Sequence, residues 1–124
     1  IYVALRVLGQ MHRTGQSITA FMDSLPPQFA TPELRIECDA SKKFAAMDAL
    51  ASFASTRFNN DDMSNISLVD GVRVRSDSGW WLVRASNTEA ALVARAEGTS
   101  QTALDSLIAD LRETLDQANL TVKI

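Results

Sequence analysis

The sequence predicts an α+β domain, an antiparallel sheet of about four strands with two helices packed on one face. Three observations predict it. Residues 33–38 and 72–76 alternate apolar and polar side chains, as half-buried strands do, and residues 80–85 form an aromatic and β-branched run. Residues 44–54 and 104–115 place apolar side chains every three or four positions, as helices packed on a core do. The order is strand, helix, three or four strands, helix, which leaves the other face of the sheet partly open.

In chain order, Val3, Ala4, Val7 and Leu8 form a helical stripe expected to end at Gly9. Residues 11–16 read as a connector holding the only histidine, His12. A lone histidine without Cys, Asp or Glu at ligand spacing reads as an ordinary loop residue. Ser17 predicts an N-cap for a helix over residues 18–25, with Ile18, Phe21, Met22 and Leu25 on one side. Pro26-Pro27 stops it, and PPQFATP (residues 26–32) reads as a stiff linker.

The strand at 33–38 sets Leu34, Ile36 and Cys38 against Glu33, Arg35 and Glu37, which makes Cys38 a small core residue. Ser41 is expected to cap the next helix, with Phe44, Met47, Ala51 and Ala54 on one face and Leu50 beside them. Residues 57–65 are polar, and the pair Asp61-Asp62 reads as solvated loop charge because no third ligand accompanies it. A short strand is expected at 66–70. After Gly98, Thr99 or Ser100 caps the clearest helix, where Leu104, Leu107, Ile108, Leu111 and Leu115 oppose Asp105, Asp110, Arg112 and Glu113. Residues 120–124 read as a final short strand or ordered tail.

The chain is organised around residues 70–97. In VRVRS, Val72 and Val74 share one face and Arg73 and Arg75 the other. Asp77-Ser78-Gly79 supplies a turn. Trp80 and Trp81 are adjacent in a strand, so one packs under the helices and the other lies on the open face. Arg84, Ser86, Asn87 and Thr88 then crowd into five positions at a hairpin tip.

That inventory suits a phosphate. A phosphate monoester carries about −1.5 to −2 charge near pH 7 and three strong acceptor oxygens. Arginine donates as a planar fork, hydroxyls and an amide add short neutral donors, and successive loop N–H groups form an anion-binding concavity. The competing reading is a plain polar turn in which Ser, Asn and Thr hydrogen-bond their own backbone.

Composition narrows the classes. The 124 residues allow one full domain and a remnant of another, and 46% hydrophobic content can fill a core. A net charge of −3 gives no electrostatic case for nucleic acid. One cysteine excludes an internal disulfide framework and fits a reducing, cytoplasmic setting. No apolar run approaches the roughly 20 residues of a membrane span. Walker, HExxH, zinc-spacing and G-x-S-x-G motifs are absent, and so no catalytic or metal-ligating residue is expected in the chain. Ile1 is not an initiator methionine, and the chain reads as a piece of a longer one.

DGVRV…GWWLVRASNTE resembles the C-terminal domain of the α-D-phosphohexomutases, in the phosphomannomutase/phosphoglucomutase branch. The family's phosphate loop R-x-S-N-T-E-P is matched by Arg84-Ala85-Ser86-Asn87-Thr88-Glu89-Ala90. Asn87 argues against the phosphoglucosamine mutase branch, which usually has glycine there. Ala90 departs from the usual proline, which bears on loop stiffness and removes no phosphate donor. GQSITAFMDSLP and ELRIECDASKKFAAMDAL resemble the preceding family segments, so the likeness covers nearly the whole chain.

The resemblance implies a TATA-box-binding-protein-like fold, with residues 1–29 the end of a third domain plus linker and 30–124 the phosphate-binding domain. It implies substrate-phosphate binding by Arg84, Ser86, Asn87 and Thr88, with Arg95 as a supporting charge. The parent enzyme, an isomerase, would interconvert hexose 1-phosphate and hexose 6-phosphate through a bisphosphate intermediate. Its catalytic serine and Mg2+ site would lie in other domains, so the fragment alone would be non-catalytic and would need no cofactor. Its partners would be phosphosugar and the remaining domains of its parent, with no nucleic acid and no membrane. The alternative is a non-catalytic interaction module that docks a protein on its open sheet face.

Overall fold

The computed structural model describes residues 1–58 and 65–120. Ten elements follow in order: α1 (Tyr2–Thr14), α2 (Ile18–Asp23), β1 (Phe29–Ala30), β2 (Leu34–Glu37), α3 (Lys43–Phe58), β3 (Asn65–Ser67), β4 (Val72–Ser76), β5 (Gly79–Ala85), β6 (Ala91–Gly98) and α4 (Gln101–Gln117). The α+β class and the antiparallel sheet are as expected, but the sheet is larger than four strands. Its path is β1-β6-β5-β4-β3, with β2 also on β6.

The additional segment, β1, comes from the stretch that reads as a linker. Phe29 pairs with Gly98 and Ala30 with Glu97, while Leu34 pairs with Ala94 and Glu37 with Ala91. Between Ala30 and Leu34 the edge therefore advances four residues against three on β6, which is a bulge. Thr31 repairs it. Its N–H donates to Ala96 O (2.9 Å), and its buried hydroxyl accepts from Ala96 N–H (3.1 Å). Pro32, without an N–H, stands on the sheet edge, where none is needed.

Strand parity sorts the side chains. Val72 and Val74 on β4, Trp81 and Val83 on β5, Leu92, Ala94 and Ala96 on β6, and Leu34 and Ile36 on β2 are buried on one face. There they meet Leu50, Ala54 and Phe58 of α3 and Leu104, Leu107, Leu111 and Leu115 of α4. Trp81 is the buried tryptophan and packs edge-on against Phe58, with ring centroids 6.0 Å apart. Its indole N–H has no partner among the described residues. The opposite face, by the same register, carries Arg35, Arg73, Arg75, Trp80, Leu82, Arg84 and Arg95.

Both helices differ in detail from expectation or confirm it. In α4, Ser100 is the N-cap, accepting from Ala103 N–H, and the leucine stripe is buried as expected. In α3 the buried stripe runs Lys43, Leu50, Ala54, Phe58, and Phe44, expected on the core face, is 68% exposed. Ser41 does not cap α3; its N–H and hydroxyl both donate to Asp39 Oδ1, at 2.8 and 2.6 Å. Arg57 ties α3 to α4 through Asp110 (3.0 Å) and Glu113 (2.5 Å).

Helix α1 does not stop at Gly9. One interior glycine costs about 1 kcal/mol of helix propensity, too little to end a helix. It runs to Thr14 and is capped by Gly15 in the left-handed region, so His12 lies in its last turn and not in a connector. Ser17 caps α2 as expected, accepting from Ala20 N–H (3.1 Å), but α2 ends at Asp23. Neither helix has a buried residue. Asp61-Asp62 and the tail over 121–124 lie outside the described residues. No helix among the described residues is long and apolar enough to cross a membrane.

Candidate functional site

The β5–β6 hairpin is the longest ladder of the sheet, paired from Gly79↔Gly98 to Ala85↔Leu92. Ser86 N–H closes it by donating to Ala91 O (3.0 Å). Residues 87–90 form the tip, and its donors are left over. The N–H groups of Asn87, Thr88, Glu89 and Ala90 make no hydrogen bond among the described residues. The side chains of Ser86, Asn87 and Thr88 make none either, so they do not cap their own backbone as a plain polar turn would.

Three of the loop's carbonyls, by contrast, are held from below. Lys43, at the start of α3 and 9% exposed, donates from Nζ to Ser86 O (2.6 Å) and Glu89 O (3.2 Å). Cys38 N–H donates to Ala90 O (3.3 Å), and the Glu89 carboxylate is ion-paired with Arg35. The loop is thus anchored through three carbonyls, those of Ser86, Glu89 and Ala90, and one carboxylate, which leaves N–H groups, hydroxyls and an amide for a ligand.

Arg84 sits one residue before Ala85 at the end of β5, half-buried on the open face opposite Val93. It makes no side-chain hydrogen bond or ion pair among the described residues. Its backbone is approached by Gly71, which has φ 87; a Cβ there would lie 2.2 Å from Val83 O and 2.8 Å from Arg84 Cβ. Only glycine fits.

Arg95 faces the same way on β6, opposite Leu82, and is the diagonal neighbour of Arg84. Such neighbours are roughly 7–8 Å apart. Its Nε and Nη2 both lie 2.9 Å from Glu97 Oε1, so its charge is already partly offset on its own strand. The structure therefore brings Arg84, Ser86, Asn87 and Thr88 together at one tip, with Arg95 behind Arg84 and engaged elsewhere.

Two residues that matter here, Lys43 and Gly71, have no role in the sequence reading, which places a third, Arg73, on its strand face without a part in the site. Lys43 continues the α3 core stripe backward from Leu50, Ala54 and Phe58. Arg73, whose guanidinium lies 4.6 Å from the Trp80 ring centroid, stands with Arg75 and Arg84 on the open face; none of the three has a carboxylate partner among the described residues. Although the chain carries net −3, this face is cationic. No group of three or more His, Cys, Asp or Glu able to hold a metal comes together among the described residues.

Comparison with known proteins identifies the family. Residues 33–114 match the family described as phosphoglucomutase/phosphomannomutase, C-terminal domain. A phosphomannomutase/phosphoglucomutase of Pseudomonas putida is 37% identical over 107 residues, covering 86% of this chain and 22% of that protein. One of Pseudomonas aeruginosa is 32% identical over 124 residues, covering 100% of this chain and 26% of that protein. A crystal structure of a phosphoglucomutase/phosphomannomutase family protein from Burkholderia thailandensis superposes with a TM-score of 0.67 at 29% identity, over 85% of this chain and 21% of that one. The chain thus spans about a quarter of the length of the curated relatives it matches. It belongs to the phosphoglucomutase/phosphomannomutase family, as that family's C-terminal domain.

Proposed function

We propose that this domain binds the phosphate group of a phosphosugar at the β5–β6 tip, as part of a phosphohexomutase that interconverts hexose 1-phosphate and hexose 6-phosphate through a bisphosphate intermediate. The observation that carries the reading is the division of the loop: the carbonyls of Ser86, Glu89 and Ala90 are tied down while the N–H groups of residues 87–90 and the side chains of Arg84, Ser86, Asn87 and Thr88 are left without protein partners among the described residues. Arg84 supplies the permanent charge and a bidentate fork; Ser86, Asn87, Thr88 and the loop N–H groups supply neutral donors. Arg95 adds charge from the next strand.

Gripping the phosphate that does not react positions the sugar for chemistry elsewhere. The reacting serine and an Mg2+ ion would belong to other domains of the parent, so the chain alone binds without turning over. Residues 1–29 would be the end of the preceding domain plus linker, although the last of them, Phe29, already pairs with Gly98 in this sheet; the exposed Tyr2, Val3, Leu5 and Leu8 support that role for α1. The test is steady-state kinetics of the parent enzyme. Arg84→Ala should lower kcat/KM more than Ser86→Ala or Thr88→Ala, since Arg84 supplies two parallel donors and a formal charge to the anion where each hydroxyl supplies one donor and no charge. A greater loss with either hydroxyl variant would overturn the assignment.

A further inference from the structure

Lys43 is an odd residue to find in a core stripe. Its ammonium is buried and donates to two backbone carbonyls, at 2.6 and 3.2 Å, and no carboxylate pairs with it among the described residues. Burying a cation this way is costly, and an apolar side chain of similar length would fill the space at less cost. Its position therefore asks for a role other than packing.

The geometry of the peptide unit points to one. In a trans peptide the C=O of one residue and the N–H of the next point in opposite directions, and the chain has no cis peptide bond. Lys43 draws the carbonyls of Ser86 and Glu89 toward α3, so the N–H groups of Asn87 and Ala90 are turned away from α3. Those are two of the four N–H groups that make no hydrogen bond among the described residues. Lys43 begins a stripe that is anchored in the core, since Leu50 and Ala54 of the same stripe are fully buried.

We propose that Lys43 is a positioning residue for phosphate binding: from beneath the loop it sets the two peptide planes that aim the Asn87 and Ala90 N–H groups at the anion, and it places a positive charge behind them. This rests on the phosphate-binding reading above. Lys43 does not touch the ligand; it acts through the loop.

The experiment compares Lys43→Met with the unaltered 15N-labelled chain and with Leu50→Val, a packing change in the same stripe. Each is titrated with glucose 1-phosphate and its melting temperature recorded. Lys43→Met should weaken binding at least tenfold and shift or broaden the free-state amide signals of Asn87 and Ala90. Leu50→Val should lower the melting temperature and leave affinity within twofold. If Lys43→Met does not fold, Lys43→Gln, whose shorter neutral head cannot serve both carbonyls, is judged by the same criteria. Binding within twofold of the unaltered chain, with unchanged loop amides, would overturn the role of Lys43 alone. Absence of saturable binding by the unaltered chain would overturn the phosphate reading, and this inference with it.

Discussion

Gly71 lies against the backbone of Arg84 so closely that a Cβ at residue 71 would come within 2.9 Å of the Arg84 Cα and 2.2 Å of the Val83 carbonyl oxygen. The start of β4 and the end of β5 thus fix each other at the point where the loop's one permanent positive charge leaves the sheet. A side chain at 71 would have to push Arg84 aside, and its φ of 87 adds strain that L residues rarely bear. Gly71→Ala is expected to destabilise the domain by roughly 1–3 kcal/mol and to weaken phosphate binding through displacement of Arg84. Urea unfolding and a phosphosugar titration check the two arms. An unchanged unfolding midpoint would contradict the close approach.

Arg95 shows how charge is divided on the open face. Glu97 Oε1 sits 2.9 Å from two of its nitrogens, so the guanidinium is partly neutralised before any ligand arrives. Glu97→Gln should leave the fold intact and tighten phosphosugar binding several-fold, more at low salt than at high salt because both groups are partly exposed. Isothermal titration at two ionic strengths measures it. Weaker binding in the variant would show that Arg95 acts only when oriented by Glu97.

The α3–α4 clamp yields an opposite pair of outcomes. Burial pushes the Asp110 carboxyl up despite the Arg57 guanidinium beside it, whereas the hydrogen bond from Arg57 holds the exposed Glu113 carboxyl below the usual range. A carboxyl raised by folding favours the folded state when protonated, so its charge opposes folding at neutral pH, and this is relieved as pH falls through the raised folded value and is gone below the unfolded one. A lowered carboxyl stabilises the fold above its unfolded value and loses that contribution as pH falls through the depressed folded value. Asp110→Asn should therefore raise the melting temperature at pH 7 and Glu113→Gln should lower it, with the Asp110 difference vanishing in acid. Thermal melts from pH 7 down to pH 2 test both signs.

Much of this could be read from the chain. Helix α4 was legible because Leu104, Leu107, Leu111 and Leu115 keep a helical period behind a serine cap, and packing then agrees with local preference. The alternation of Val72, Arg73, Val74 and Arg75 defined β4, and the parity of Trp80 and Trp81 required them to part. Which one is buried depends on register, since Trp81 pairs with Val74 and Trp80 with Arg75. β1 was not legible: two residues among prolines have no period, and the strand exists only because β6 offers an unpaired edge. Of the site, the donors were visible in Arg84-Ala85-Ser86-Asn87-Thr88. Their supports were not, because Lys43 and Gly71 act through backbone atoms more than forty and ten residues away respectively, and local sequence carries no sign of such contacts.

The central claim is that the β5–β6 tip is the phosphate-binding element of the chain. Amide chemical shifts of the 15N-labelled chain, followed during titration with glucose 1-phosphate and separately with glucose, test it most directly. Saturable shifts centred on residues 84–90 with the phosphosugar, and none there with glucose, are the predicted result. Shifts at that tip of equal size with both sugars, or saturable shifts that fall elsewhere on the domain, would contradict it.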